Sequence, residues 1–70
     1  MDFRFNLRYF REREGYTQTE LAEKVGLSSS IISQYENGAK VPSLPVADAI
    51  AQTLHVTCDD LVRGERRKKG

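Results

Sequence analysis

The chain has 70 residues, of which 39% are hydrophobic and 30% are charged, and its formal net charge is +1. This length fits one small domain, because a chain of about that size buries only ~60% of the surface that it exposes when unfolded. The mean hydropathy is −0.57 and the longest apolar run spans residues 49–51, which excludes a membrane span of ~20 apolar residues. Asp2, Arg4 and Arg8 interrupt any hydrophobic stretch near the start, so we expect no secretory signal.

The chain is poor in groups that bind metals or carry out catalysis. Cys58 is its one cysteine and His55 its one histidine, too few for an internal disulfide or for a zinc site of several Cys and His ligands. The sequence also has no glycine-rich phosphate loop. We therefore expect a reduced, cytoplasmic protein that is not an enzyme and that holds no metal and no cofactor.

Charge is distributed unevenly along the chain. Residues 1–13 carry four arginines against two acids, and residues 63–70 carry five basic residues against one acid. Residues 14–62 carry two lysines against seven acids. The basic ends support a nucleic-acid-binding face only if their cations converge in space, and a solvated surface explains the same runs.

The first segment fits two periodicities. Its apolar residues alternate with polar ones, as in a strand, at Phe3, Phe5, Leu7 and Tyr9. Three apolar residues also share one face of a helix, namely Phe3, Leu7 and Phe10. Good helix formers follow and Gly15 offers a stop, so we predict a helix over residues 4–14 that Asp2 caps. Phe5 and Tyr9 then lie off the core face, either as surface cover or as a dimer contact.

A second helix begins at a capping box. Thr17 supplies an oxygen for the free N–H groups of the first turn, and Glu20, three residues on, returns the bond. We expect its buried face to comprise Leu21, Ala22 and Val25. Gly26 ends this helix. The small residues Ala22 and Gly26 are expected to fill its contact with the next helix, so that the two cross steeply as a helix-turn-helix.

The third helix has an unusual surface. Ser28 caps its start, the Asn37-Gly38 turn ends it, and Ile32 and Tyr35 share its apolar face. The other face consists of small or amide side chains without an acid: Ser29, Ser30, Ser33 and Gln34. Such side chains allow close approach to the floor of a DNA major groove, where glutamine can bond base edges with both amide atoms. An ordinary helical hairpin fits the same pattern.

Two more helices complete an all-α domain of five short helices. Ser43 is predicted to cap the fourth, with Pro45 in its first turn and an apolar face of Val46, Ala47, Ile50, Ala51 and Leu54. The fifth is predicted to begin at Thr57, with Asp59 and Asp60 in its first turn, Leu61 and Val62 pointing inward, and Gly64 at its end. The domain is thus predicted to cover residues 1–64, and we expect residues 65–70 to form a basic, disordered tail.

Two segments of the chain resemble the helix-turn-helix family of the phage repressor and Cro type. The first half of the likeness rests on Arg11, Gly15-Tyr16-Thr17-Gln18, Glu20-Leu21-Ala22 and Lys24-Val25-Gly26. The second rests on Ser28, Ile32-Ser33, Tyr35-Glu36-Asn37-Gly38 and the segment from Pro42-Ser43 to Leu61. The resemblance implies a lambda-repressor-like fold whose third helix enters the major groove, and a symmetric dimer that reads a palindromic operator.

The resemblance also implies roles for single residues. It makes Ser29, Ser30, Ser33 and Gln34 base-reading residues, and it assigns phosphate contacts to Gln18, Ser28, Asn37 and Lys40. Arg11 and Glu36 stand where relatives form a salt bridge between helices one and three. Helix capping is the alternative role for Gln18 and Asn37, and an exposed pair of little energetic value is the alternative for Arg11 and Glu36.

Three further residues leave alternatives open. Ile31 either touches a thymine methyl group or is an exposed apolar residue. His55 stands where relatives often have glycine, so we expect it to adopt the left-handed backbone conformation and favour this role over that of a pH switch. Cys58 is either a redox sensor or an unreactive thiol at the surface or half-buried.

The leading hypothesis is a sequence-specific DNA-binding transcriptional regulator, a repressor of the XRE type that acts by occlusion. Its expected partner is double-stranded DNA, which it binds as a weak homodimer. We expect no membrane partner. The alternative is an antitoxin or regulatory subunit whose main partner is another protein, with Phe5 and Tyr9 or the basic tail as its contact surface.

Overall fold

Five helices follow one another along residues 3–63, the part of the chain that the computed structural model describes. They are α1 (Phe3–Arg13), α2 (Gln18–Val25), α3 (Ser29–Asn37), α4 (Leu44–Thr53) and α5 (Cys58–Arg63). The described residues contain no strand, which confirms the all-α prediction, and α1 begins and ends one residue earlier than predicted. The predictions for Asp2, for Gly64 and for the tail over residues 65–70 lie outside the described residues. No described helix is long and apolar enough to cross a membrane.

The predicted caps of α2 and α3 are confirmed. Thr17 Oγ1 accepts from the Glu20 amide at 3.0 Å, and Glu20 Oε1 accepts in return from the Thr17 amide at 2.8 Å. Ser28 Oγ accepts from the Ile31 amide at 3.2 Å. Both helices end on a left-handed glycine, Gly26 at φ 76° and Gly38 at φ 84°. Because two residues separate Gly26 from α3, these caps fix the geometry of the turn locally.

The predicted role of Gly26 in helix packing is wrong. A Cβ built on this residue meets no atom within 4 Å, and the residue is exposed. Ala22, by contrast, is buried in the core. Of the two residues only Ala22 therefore packs in the core, whereas position 26 needs glycine for its positive φ.

Two predictions for the last helices also need correction. Ser43 stands at the N-cap position of α4, but its side chain makes no capping bond, and Pro in the first turn leaves fewer N–H groups to cap. Val62 is 56% exposed, whereas Leu61 is fully buried. The side chains of consecutive helical residues point ~100° apart. In this six-residue helix only Leu61 of the two therefore faces the core. α5 begins at Cys58, one residue after the predicted Thr57, which caps the helix because its Oγ1 accepts from the Asp60 amide at 3.0 Å.

The core draws apolar side chains from all five helices and from the loop before α5. Its buried members are Leu7, Phe10, Leu21, Ala22, Ile32, Tyr35, Ile50, Ala51, Leu54, Val56 and Leu61. Val25, Val46 and Ala47, predicted on apolar faces, are half-buried. His55 adopts the predicted left-handed conformation at φ 61°, which turns the chain between α4 and α5.

A buried asparagine that the sequence analysis did not identify ties α1 to the end of α5. Asn6 is fully buried, and its Nδ2 donates to the carbonyl oxygens of Leu61 at 2.7 Å and of Val62 at 3.3 Å. The last carbonyls of a helix have no partner within the helix, so this amide satisfies groups that α5 cannot. The contact fixes α1 against α5 by hydrogen bonding as well as by packing.

An ion pair between Arg11 and Glu36 ties α1 to α3. Arg11 Nε donates to Glu36 Oε2 at 2.6 Å and Nη2 donates to Oε1 at 3.1 Å, in a two-bond geometry. The two side chains are only 10% and 6% exposed. The alternative of an exposed pair of little value therefore does not apply, and the pairing sets where the end of α3 lies.

We expect removal of one partner of this ion pair to be costly. Arg11→Met leaves the Glu36 carboxylate buried without its counter-charge, which should lower the free energy of unfolding by ~3–5 kcal/mol. Glu36→Gln should lower it too, and the double variant should lose less than the sum of the single losses. Urea unfolding of the three variants without DNA measures the coupling.

The matched control is the pair of Arg8 and Glu12, one turn apart on the surface of α1. Arg8 Nε lies 3.2 Å from Glu12 Oε2, but the side chains are 64% and 56% exposed. Its coupling energy should be only ~0.2–1 kcal/mol. A coupling between Arg11 and Glu36 no larger than that of this control contradicts the proposed role of the buried pair.

Candidate nucleic-acid interface

The four predicted base-reading residues share one side of α3. Ser29 and Ser30 are exposed in its first turn, and Ser33 and Gln34 are half-buried one turn further on. The helix begins at the Ser28 cap, whose hydroxyl oxygen already accepts a backbone bond and whose hydroxyl proton can still be donated. Short hydroxyl side chains at the start of a helix let its backbone approach a surface closely. The structure thus gathers these residues into one polar, acid-free face.

The Gln34 side chain is less exposed than its predicted base-reading role requires. Its Oε1 is buried and accepts no hydrogen bond from any described residue. A bidentate contact with adenine needs both amide atoms at the base edge, so the side chain has to turn outward on binding. An unsatisfied buried oxygen costs ~1–3 kcal/mol, and a partner that satisfies it recovers that energy.

The four predicted phosphate-contacting residues lie at both ends of the helix pair. Ser28 caps the start of α3, and Asn37 and Lys40 are exposed at its far end. Asn37 Oδ1 accepts from the Ala39 amide at 2.9 Å, so this side chain does stabilise the turn, and only its NH₂ group is left to contact a phosphate. Gln18 is no cap, because Thr17 holds that position.

Gln18 instead completes the environment of the Glu36 carboxylate. Its Nε2 donates to Glu36 Oε1 at 3.1 Å, in addition to the two bonds from Arg11. Arg11 Nη1 also donates to the Tyr16 carbonyl at 2.7 Å. The hydrogen bonds to Glu36 raise the pKa of Arg11, so its guanidinium stays charged. Since Glu36 is the one acid of α3, the helix presents no unpaired negative charge to a polyanion.

The remaining candidates of the sequence analysis lie apart from this face. Ile31 is half-buried against the core, which argues against the exposed alternative. Cys58 is half-buried in α5, with its Sγ 3.8 Å from Asp48 Oδ1. Burial and the Asp48 carboxylate raise the pKa of this thiol, which disfavours the thiolate that a redox sensor needs. The described residues contain no group of three or more His, Cys, Asp or Glu side chains that could hold a metal ion.

One basic residue that no motif identified lies beside the end of α3. Arg4 of α1 lines a small cleft together with Gly38 and Lys40. Sequence spacing could not predict that Arg4 lies beside Gly38, because the two residues are 34 positions apart in the chain. The cleft therefore becomes visible only in the folded chain.

Comparison with known proteins assigns the family. The model of the helix-turn-helix family matches residues 7–61. The chain is 35% identical over 60 residues to YazB, an HTH-type transcriptional regulator of Bacillus subtilis, and covers 87% of that protein. It is 41% identical over 58 residues to an HTH-type regulator of Archaeoglobus fulgidus, of which it covers 83%. The match to the antitoxin HipB of Escherichia coli is 36% over 56 residues and covers 60% of HipB. The alignments span 86%, 83% and 76% of this chain, respectively.

Solved structures show the same fold. The P22 c2 repressor in complex with a synthetic operator superposes with a TM-score of 0.86 at 26% identity, over 91% of this chain and 97% of that one. SinR, the regulator of biofilm formation, in complex with DNA superposes with a TM-score of 0.80 at 28% identity, over 84% and 95% of the two chains. With the capped helix pair and the Arg11–Glu36 bridge in place, the chain belongs to the helix-turn-helix family of the phage repressor and Cro type.

Proposed function

We propose that the chain is a sequence-specific DNA-binding transcriptional regulator, a repressor that binds a palindromic operator as a homodimer. The observation that carries this proposal is the polar face of α3, whose first turn is exposed and whose one acid is neutralised inside the fold. The likeness to the P22 c2 repressor in its operator complex supports placing α3 in the major groove. Repression then follows from occlusion of the DNA that the dimer covers.

Each group of residues has a separate task in this proposal. The reading face comprises Ser29, Ser30, Ser33 and Gln34, and serine hydroxyls can donate to or accept from base edges. Gln18, Ser28, Asn37 and Lys40 contact phosphates, which sets the register but carries no sequence information. The Arg11–Glu36 pair takes no part in recognition and keeps α3 in place.

We further propose that the chain binds rather than catalyses, and that it works in the cytoplasm, where its DNA is. Membership of a family of DNA-binding regulators supports the first statement. The second follows from the proposed target, and a reduced cytoplasm suits the single thiol of Cys58.

A second candidate function is that of an antitoxin, for which a protein is the main partner. The similarity to HipB favours this candidate. Copurification of a small toxin with the tagged chain from its native host would support it. Binding of the pure chain to one DNA sequence at nanomolar concentration supports the regulator instead.

We expect Gln34→Ala to reduce both affinity and specificity. Gln34 carries the one amide on the reading face, so its loss should weaken operator binding by ~1–3 kcal/mol and relax preference at one base pair of each half-site. Lys40→Ala should weaken binding to all sequences alike and reduce the slope of log K against log salt by ~0.9. Titrations on operator and scrambled duplex at several salt concentrations measure both effects.

The two variants serve as controls for each other, since one removes a base contact and the other a phosphate contact. Thermal unfolding must show that both remain folded. If Gln34→Ala weakens binding to both duplexes equally, α3 does not read the bases.

We expect the free protein to be a weak dimer that tightens on DNA. A domain of 70 residues offers a small interface, and interfaces below about 1,200 Å² are typical of transient association. Sedimentation at micromolar concentration should therefore show substantial monomer, and a single half-site should bind far more weakly than the palindrome. A stable tetramer, or equal affinity for half-site and palindrome, contradicts the dimeric mode of binding.

A further inference from the structure

A small cleft opens where the N-terminus of α1 meets the end of α3. It has a volume of about 190 Å³ and is lined by Phe3, Arg4, Tyr35, Gly38, Lys40 and Val41. Two of these six residues are cationic and none of the six is acidic. Arg4 and Lys40 are therefore the groups of the cleft that attract an anion.

The side chain of Arg4 is held in place by the backbone of Gly38. A Cβ built on Gly38 would lie 2.8 Å from Arg4 Nη1 and 3.3 Å from Arg4 Cδ, so the arginine passes directly over this glycine. On its other side, Arg4 Cζ lies 5.0 Å from the centre of the Phe5 ring. Position 38 therefore needs glycine for its φ of 84°, and the absence of a side chain there leaves the room that Arg4 occupies.

The backbone at the end of α3 does not supply donors to this cleft. The amides of Gly38, Ala39 and Lys40 all donate to one acceptor, the Gln34 carbonyl, the last two at 2.9 and 3.2 Å. Because these three amides already have an acceptor, we expect an anion in the cleft to be bound by side chains. A guanidinium offers a planar fork that fits two phosphate oxygens, and an ammonium adds a point charge.

We propose that Arg4 and Lys40 form a phosphodiester-binding cleft for the DNA backbone, with Arg4 as a further positioning residue. This inference rests on the proposed function. The nine residues of α3 span ~13.5 Å, close to the ~12 Å width of the major groove. With the axis of α3 placed across the groove, groups at its two ends reach the backbones on opposite sides. Gln18 and Ser28 contact one strand, and Arg4 and Lys40 contact the other.

The salt dependence of operator binding tests this cleft. Removal of one phosphate contact should lower the slope of log K against log salt by ~0.9, so Arg4→Gln should make the drop in affinity between 50 and 200 mM salt about 3.5-fold smaller. Arg4→Gln combined with Lys40→Ala should lower the slope by ~1.8. Arg4→Lys should retain most of the slope, since it keeps the charge.

Arg13→Gln is the matched control. It removes the same charge from the same helix, but residue 13 lies nine positions after Arg4 and therefore on the opposite face of α1. Arg13 Nη2 donates to the Leu54 carbonyl at 3.4 Å, on the side of α4. The slope for this variant should equal that of the wild-type chain.

A DNA-side measurement locates the phosphate that Arg4 binds without depending on the stability of a variant. Neutral methylphosphonates placed one at a time along each strand should reveal a position that weakens wild-type binding and that has no effect on Arg4→Gln. If Arg4→Gln does not fold, Arg4→Lys takes its place. The methylphosphonate at that position should then weaken the binding of Arg4→Lys less than it weakens the binding of the wild-type chain. That position should lie on the strand opposite the Gln18 contact.

The competing role for Arg4 is structural, because a cation near the C-terminus of a helix interacts favourably with its dipole. If the role of Arg4 is only structural, Arg4→Gln lowers the unfolding temperature and leaves the slope of log K against log salt unchanged. This result overturns the proposal. If the wild-type chain shows no sequence preference at all, the proposed function fails instead. The two failures are therefore distinguishable.

Discussion

The buried carboxylate of Glu36 is the point on which the geometry of the interface depends. Arg11 from α1 and Gln18 from α2 both bind it, and Arg11 also binds the Tyr16 carbonyl in the turn between those helices. Three elements are thereby held to the same end of α3. Because a charge without its partner is expensive inside a protein, α3 cannot rotate or slide without the cost of breaking the bonds that Glu36 accepts from Arg11 and Gln18. The orientation of the serine face is a consequence of this constraint.

The same arrangement decides the electrostatics of the surface. The described part of the chain after α1 is acidic, yet α3 turns its one acid inward and presents hydroxyl and amide groups instead. Two cationic side chains, Lys40 and Arg4, line the cleft at the end of α3. A chain with a net charge of +1 can therefore bind a polyanion, because local arrangement rather than total charge sets the field. The small net charge also predicts weak non-specific binding.

Local signals in the sequence are sufficient to predict much of the fold. The capping box of Thr17 and Glu20, the Ser28 cap and the terminal glycines depend on neighbours within three or four residues, and the structure contains all of them. The prediction for Val62 is wrong because a six-residue helix gives too short a pattern to fix its rotation. The prediction for Gly26 is wrong because a glycine needed for positive φ looks the same in sequence as one needed for space.

Local sequence signals do not predict contacts between residues that are far apart in the chain. Asn6 bonds a carbonyl 55 positions away, and a lone asparagine on a helix carries no sign of burial. Arg4 and Gly38 meet only because α1 packs on α3. The Arg11–Glu36 pair, 25 positions apart, is predictable only through the family resemblance. Pattern and capping thus establish elements, whereas the buried polar contacts that fix their arrangement require either a relative or the structure.

The claim at the centre of this account is that the first turn of α3 reads the bases. Selection of bound sites from a random DNA pool, carried out with the wild-type chain and with Ser30→Arg, tests it most directly. The wild type should enrich a palindrome whose half-sites lie about one helical turn apart. Ser30→Arg should enrich the same palindrome with a new preference for guanine at one position of each half-site, because arginine bonds guanine O6 and N7 together. An unchanged motif for the variant, or no enriched motif for either protein, would contradict the account.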